Sequence, residues 1–422
     1  MSVLPSRPSY VSVLRAPHAA AVFASALVGR FSYGLLFVAL TVALTRAGGS
    51  YAVSGTAIAL FGLSAAFLAP VRAVLIDRYG RRCALPPMAA AYAALLGCLA
   101  AATWRPGAPQ WLLLTLTLLA GACAPPLGPV MRTLWSELFA QREHLRQRAF
   151  SLDTVAEELL YVVGPLAAGL FISAGRAAAG VAVAALLVLG GTVGMVLSPA
   201  TRSRADRERT RGAGTAGSGR ALGRAGQPVL VAAAIGCALG GLNLLVVAFA
   251  EHHHRLAAVS WLEASTAVGS AVGGIAYGAR TWRLPGRIRL SLLALGLSAA
   301  LALAGLSPNL YVLTAGTAVV GLCVAPALAT AYLTADAYAP PGGRTLAGTW
   351  VNSAYNAGFS GGTAAVGLLL SGLPLRVCFA LAALPALVAA LVPALGPLTG
   401  LRRPRRTGTV PGDAPSEGLG PG

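Results

Sequence analysis

The 422-residue chain contains no lysine, only 13 acidic residues and five histidines, and charged side chains make up just 11% of it. So little charge excludes a surface that water alone could solvate. Hydrophobic residues reach 56% and the mean hydropathy is +0.71, outside the balance of soluble domains. Without lysine there is no glycine-rich phosphate loop ending in Lys-Ser/Thr, which argues against ATP-driven work by this chain alone. The six cysteines (Cys83, Cys98, Cys123, Cys237, Cys323, Cys378) show neither metal-ligand spacing nor an extracellular disulfide pattern, and read as small apolar fillers. Glu251-His252-His253-His254-Arg255 cannot present three imidazoles on one face, so it reads as a solvated loop; no metal and no cofactor are expected. The scattered acids and histidines form no convergent catalytic set, which disfavours an enzyme.

What the chain has is apolar length, repeatedly. About twenty apolar residues cross the hydrocarbon core as a helix, because every backbone N–H and C=O must be paired within the segment. Such segments fall at 19–44, 53–76, 84–103, 111–131, 150–173, 177–198, 228–250, 257–279, 290–306, 311–333, 346–370 and 375–397. The expected fold is therefore all-α and integral to a membrane, with about twelve spans. An amino-terminal half (1–198) and a carboxy-terminal half (228–397) are joined by an Arg/Gly/Ser-rich linker (199–227), and a disordered tail follows (398–422). The first span is interrupted by Arg30 and is expected to be retained rather than cleaved as a signal peptide.

A net charge of +19 would suggest nucleic acid in a soluble protein, but the arginines are not evenly spread. With the amino terminus inside, they crowd into alternate loops, the linker and the tail; the other set of loops holds only Arg46, Arg105, Arg176, Arg255 and Arg376. The positive-inside rule then places both termini in the cytoplasm, and no nucleic-acid partner is expected.

The halves are related to each other. Sliding the second on the first by about 206 residues sets Tyr51-Ala-Val-Ser54 on Ala257-Ala-Val-Ser260 and Tyr79-Gly80-Arg81 on Pro285-Gly286-Arg287. An offset of about 200 pairs Gly121-Ala-Cys123 with Gly321-Leu-Cys323, and one of about 199 pairs Asp153 with Asn352 and Glu157 with Asn356. Six spans, a linker and six more is how many secondary transporters are built, with substrate bound near the midplane between the halves.

Between the second and third spans stands Ala73-Val-Leu-Ile-Asp77-Arg78-Tyr79-Gly80-Arg81-Arg82-Cys83-Ala84-Leu85. This resembles the loop signature of the major facilitator superfamily, G-x-L-a-D-R-x-G-R-R-x-x-l, with Ala73 in place of the opening glycine. The resemblance implies a twelve-span transporter working by alternating access, with Asp77, Arg78, Gly80, Arg81 and Arg82 as a gate. In the superfamily the second and eleventh spans meet across the halves, so Asp77 would face the start of the eleventh near Thr345, held in position by Arg78 and Arg81. Gly164, Pro165 and Gly169 look like the family's antiporter-associated motif, with Leu160 and Ala168 replacing two glycines; they would let the fifth span bend and pack against the other half. Efflux members usually carry an Arg in the fourth span four residues before a Gly; here that position is Thr117.

Ionisable groups inside a span are costly and so are functional candidates. Arg30, Glu157, Glu158 and Glu263 qualify, the two adjacent glutamates as proton carriers; Asp153 is expected at the membrane surface and Arg132 as a topology anchor near the inner end. Tyr33, Asn243, Asn352, Tyr355 and Asn356 are polar candidates for the central cavity, each able to bond a ligand or a neighbouring helix. The reading is a monomeric, proton-coupled exporter of a small organic molecule in a cytoplasmic membrane. Its alternatives are nutrient or metabolite uptake and a transporter-like sensor or scaffold that moves nothing.

Overall fold

The computed structural model describes residues 10–48, 51–202, 226–255, 257–340 and 342–395, so most of the linker expected at 199–227 and the tail at 398–422 lie outside the described residues. A short helix α1 (Tyr10–Leu14) precedes the bundle. The amino-terminal half consists of α2 (Ala19–Gly48), α3 (Tyr51–Tyr79), α4 (Arg81–Ala102), α5 (Gln110–Cys123), α6 (Leu127–Leu138), α7 (Glu143–Ser173) and α8 (Ala177–Leu197). The second half consists of α9 (Gly226–His252), α10 (Ala258–Ala279), α11 (Gly286–Ala304), α12 (Leu310–Tyr338), α13 (Arg344–Leu369) and α14 (Leu375–Leu395). With α5 and α6 together forming the fourth, these make twelve spans, and no strand occurs among the described residues. The end of the bundle that carries the 77–82 loop is called the base below, and the opposite end the rim.

Local chemistry sets several boundaries. At the base, Gly80 takes a φ of 82° and lets the chain reverse between α3 and α4. At the rim, the Asn309 carboxamide accepts from the N–H groups of Tyr311 and Val312, both at 3.0 Å, and starts α12. The fourth span, expected as one helix over 111–131, is broken: Pro125 and Pro126 cannot donate and force extended backbone before them, so α5 stops at Cys123 and α6 restarts at Leu127. The carbonyls exposed by the break are capped from neighbouring helices. Arg72 of α3 donates to Gly121 (2.9 Å) and Ala122 (2.7 Å), while also bonding Ala65 of its own helix (2.6 Å), and the Tyr33 hydroxyl donates to Pro125.

The repeat read from the sequence reappears as packing. In the first half α2 pairs with α7 and α8, α3 with α5, and α4 with α8; in the second α9 pairs with α13 and α14, α10 with α12, and α11 with α14. The close approaches match residue by residue. A Cβ on Gly34 would strike the Leu160 carbonyl, and one on Gly240 the Phe359 carbonyl, reproducing the offsets of about 206 and 199. A Cβ on Gly121 would strike the Phe61 carbonyl and one on Gly321 the Thr266 carbonyl, likewise near the expected offsets. Helices so apolar gain little from leaving lipid for one another, and small residues that let backbones touch supply the dispersion contact instead.

The halves meet along two seams, α3 against α13 and α7 against α10, with α6 and α12 joining between them. Nine helical segments among the described residues are apolar and long enough to cross a membrane unaided. The two seam helices of the second half, α10 and α13, are not among them, being richer in Ser, Thr, Gly and Asn, several of which (Gly269, Ser270, Gly273, Gly274, Thr345, Thr349) are buried.

Candidate functional site

The site has two storeys, a contact between the halves at the base and a charge cluster above it. At the base, an Asp77 carboxylate oxygen accepts from the backbone N–H of Leu346 at 3.1 Å, in the first turn of α13. That turn has unpaired donors and the positive end of the helix dipole, so a carboxylate is the favoured occupant. Thr133 and Thr345 hydroxyls lie 3.4 Å apart beside it. Arg81 is buried and grips Glu137 at the end of α6 through both carboxylate oxygens (2.7 and 2.5 Å). Arg82 donates to the Val196 carbonyl at the end of α8 (3.0 and 3.1 Å), and Arg78 is exposed with its guanidinium 5.5 Å from the Tyr79 ring centre. The loop motif thus ties α4 to the fourth and sixth spans while Asp77 reaches across to the other half.

The second seam was not legible beforehand. Gln147 at the start of α7 donates to the carbonyls of Tyr277 and Arg280, both at 3.0 Å, and Arg148 donates to Gly278 (3.0 Å) and Ala279 (3.1 Å). One turn higher, the Ser151 hydroxyl donates to Gly274. The end of α10, where carbonyls lack partners and the dipole is negative, is thereby capped by a cation and an amide from the other half. Gly274 and Gly278 leave no room for a Cβ against Val155, Ser151 and Tyr10.

Above the base contact Arg30 (α2), Arg132 (α6), Asp153 and Glu157 (both α7) form a closed quartet. Arg30 pairs with Asp153 at 2.7 Å and Glu157 at 2.9 Å; Arg132 pairs with Asp153 at 3.0 Å and also with Glu157. All but Glu157, one-fifth exposed at its side chain, are buried. Two expectations are corrected here. Asp153 is not at the membrane surface, because α7 begins at Glu143 and carries it almost three turns inward; Arg132 is no terminal anchor, because α6 continues to Leu138. Asp153 and Glu157 share one face of α7 at i, i+4, and the charges cancel, which makes burial of all four tolerable.

Arg132 also joins the halves. Its guanidinium carbon sits 3.5 Å from the Tyr332 ring centre on α12, and the Tyr332 hydroxyl donates to Asn352 of α13 at 3.3 Å. Ser136, one turn further along α6, donates to Asp336 at 2.7 Å. Both pairs join positions about 200 apart, the offset that relates the fourth and tenth spans, so each residue meets its own counterpart as at an isologous interface.

Glu158, next to the quartet, is half-buried and has no hydrogen-bond or ion-pair partner among the described residues; Glu157, Arg132, Tyr161 and Tyr355 of α13 lie within electrostatic range. Glu263 is exposed, away from the quartet, and accepts from Asn243 at 3.1 Å, linking α9 and α10. Tyr33 is committed to Pro125, Tyr355 packs its ring 6.5 Å from Phe359, and Asn356 is exposed. Gly164 packs on Gly34 of the same half rather than on the other half, α7 runs unbroken through Pro165, and nothing lies within 4 Å of a Cβ built on Gly169. Sequence reasoning missed Arg72, which meets the intramembrane-charge criterion that singled out Arg30. It also missed Gln147, Tyr332 and Asp336, and gave Arg148 only a topological role; nothing short of the helix pairing signals these.

Among the described residues no group of three or more His, Cys, Asp or Glu side chains could hold a metal. A search of curated proteins finds no match. Among solved structures, the human organic anion transporter MFSD10 (TETRAN) superposes with a TM-score of 0.68 at 16% identity, covering 91% of this chain and 99% of its own. A bacterial homologue of the iron transporter ferroportin, crystallised in an outward-facing state with soaked iron, superposes with a TM-score of 0.68 at 14% identity, covering 88% and 96%. At such identities the likeness is one of fold. The sequence profile of the Major Facilitator Superfamily matches residues 22–245 and again 228–418, one match over each half, and the chain belongs to that superfamily of membrane transporters.

Proposed function

We propose that this transporter exports a small organic molecule in exchange for protons, with the base facing the cytoplasm and Glu158 carrying the exchanged proton. The observation that carries the reading is the contrast between Glu158 and its neighbours. Asp153 and Glu157 are locked by two guanidinium groups, whereas Glu158 has no such partner and stands where α7 faces Tyr355 of the other half. A carboxylate without a fixed counter-ion can change protonation as its surroundings alternate, which is what coupling requires. The crowding of arginine in the base loops supports the orientation, through the positive-inside rule. Asp77 and Arg148, each complementary to the helix end it caps, support reading the base as the gate that opens and closes.

Inverted membrane vesicles given a panel of dyes and metabolites from outside, with and without a pH gradient, test this. Substrate should accumulate in inverted vesicles only with the gradient, and Glu158→Gln should abolish that dependence while substrate still binds. Gradient-driven transport at the parental rate in Glu158→Gln would remove Glu158 from the coupling; accumulation in right-side-out vesicles instead would make the protein an importer.

A further inference from the structure

The α7–α10 seam holds a third participant. Helix α1 lies against α7 and α2, with Val13 fully buried, and the chain turns from it into α2 through His18, whose φ of 61° is one that non-glycine residues rarely adopt. From α1 the Tyr10 hydroxyl crosses to the other half and donates to the Ile275 carbonyl of α10 at 2.5 Å. The Ser151 hydroxyl and the Arg148 guanidinium lie near this hydroxyl, so Tyr10 shares its surroundings with two of the side chains that close the seam. Gly278 is the floor of the slot: a Cβ there would collide with the Tyr10 hydroxyl. Burial raises the pKa of the phenol and the Ser151 hydroxyl and Arg148 guanidinium lower it, with burial the larger effect, so the group stays a proton donor to the Ile275 carbonyl.

We propose that the amino-terminal segment is a working part of the gate: Tyr10 is a positioning residue that bolts α7 to α10, and the base opens only when the segment lifts from the slot. This rests on reading the base as the gate. A segment that merely anchored the chain at the membrane surface would need neither a hydroxyl reaching the opposite half nor a glycine cut to receive it. The bolt joins an element outside the twelve spans to the one seam whose acceptors are all backbone carbonyls. Anything that binds or removes this segment would therefore bias the transport cycle without touching the substrate.

The test uses the full chain with its six cysteines replaced and a reporter Val155→Cys, a buried position that faces Gly274 across the seam. The rate of modification by a membrane-permeant maleimide reads opening of the base. Tyr10→Phe, which removes one oxygen and leaves the ring, should raise that rate about two- to tenfold, the equilibrium effect of one net hydrogen bond. Tyr10→Ala should raise it at least as much. Asp77→Asn in the same background shows independently whether the reporter senses the gate. If Asp77→Asn raises labelling while Tyr10→Phe stays at the parental rate, the gate stands and the bolt is refuted. If neither changes labelling, the gate reading fails and the bolt with it. Should Tyr10→Ala fail to fold, Tyr10→Phe decides alone.

Discussion

The two seams at the base occupy equivalent places in the two-fold arrangement, yet they are closed by opposite chemistry. At α3–α13 a carboxylate on the first half accepts from the start of a second-half helix, where Asp77 meets the backbone N–H of Leu346. At α7–α10 the first half donates instead: Gln147, Arg148 and Ser151 reach five carbonyls at the end of α10, and Tyr10 reaches a sixth. Each seam matches the dipole of the helix it caps, negative charge at an amino terminus and positive charge at a carboxy terminus. Duplication supplied two similar interfaces, and divergence gave one a carboxylate latch and the other a multidentate clamp. The consequence is a ranking: the clamp should hold the base shut more strongly than the latch.

The largest effect lies just above both seams. Asp153 bridges two buried arginines, so Asp153→Asn leaves them sharing Glu157 and should cost about 3–5 kcal/mol, read as a lower melting temperature in detergent. A loss no greater than that of an exposed substitution would mean that the quartet is not the structural anchor of α7. Next comes the clamp. Gln147→Ala with Arg148→Ala removes four donations and should shift the closed-to-open ratio of the base by more than about tenfold in maleimide labelling of Val155→Cys. The latch comes last. Asp77→Asn should favour opening by about two- to tenfold, the value of a charge at a helix amino terminus, and should lower transport while the protein remains folded. If the latch variant opens the base more than the clamp variant does, the ranking is inverted and a count of hydrogen bonds is the wrong guide to this interface.

Much of this architecture was legible in the sequence, for physical reasons. Membrane spans announce themselves because lipid demands continuous apolar helices, and the drifting offset between halves survives because Gly34 and Gly240, or Gly121 and Gly321, are held to backbone contact. Asp77 was legible because a compact motif surrounds it. The clamp was not: its acceptors are main-chain carbonyls, which leave no side-chain signature, and its donors look like ordinary residues of a basic loop. Asp153 and Arg132 were misplaced because hydropathy marks where apolar composition begins rather than where the helix does; α7 starts seven residues before the apolar segment and α6 runs seven beyond it.

The account turns on the base being a gate held by these two seams. Spin labels at positions 142 and 283, in base loops of opposite halves, allow the distance between halves to be measured by pulsed electron resonance in the full chain. The parental protein should show one dominant short distance, Asp77→Asn a second and longer population, and Gln147→Ala with Arg148→Ala mostly the longer one. A single unchanged distance in all three proteins, with transport lost in the variants, would contradict the gate and leave Asp77 and Arg148 as structural contacts only.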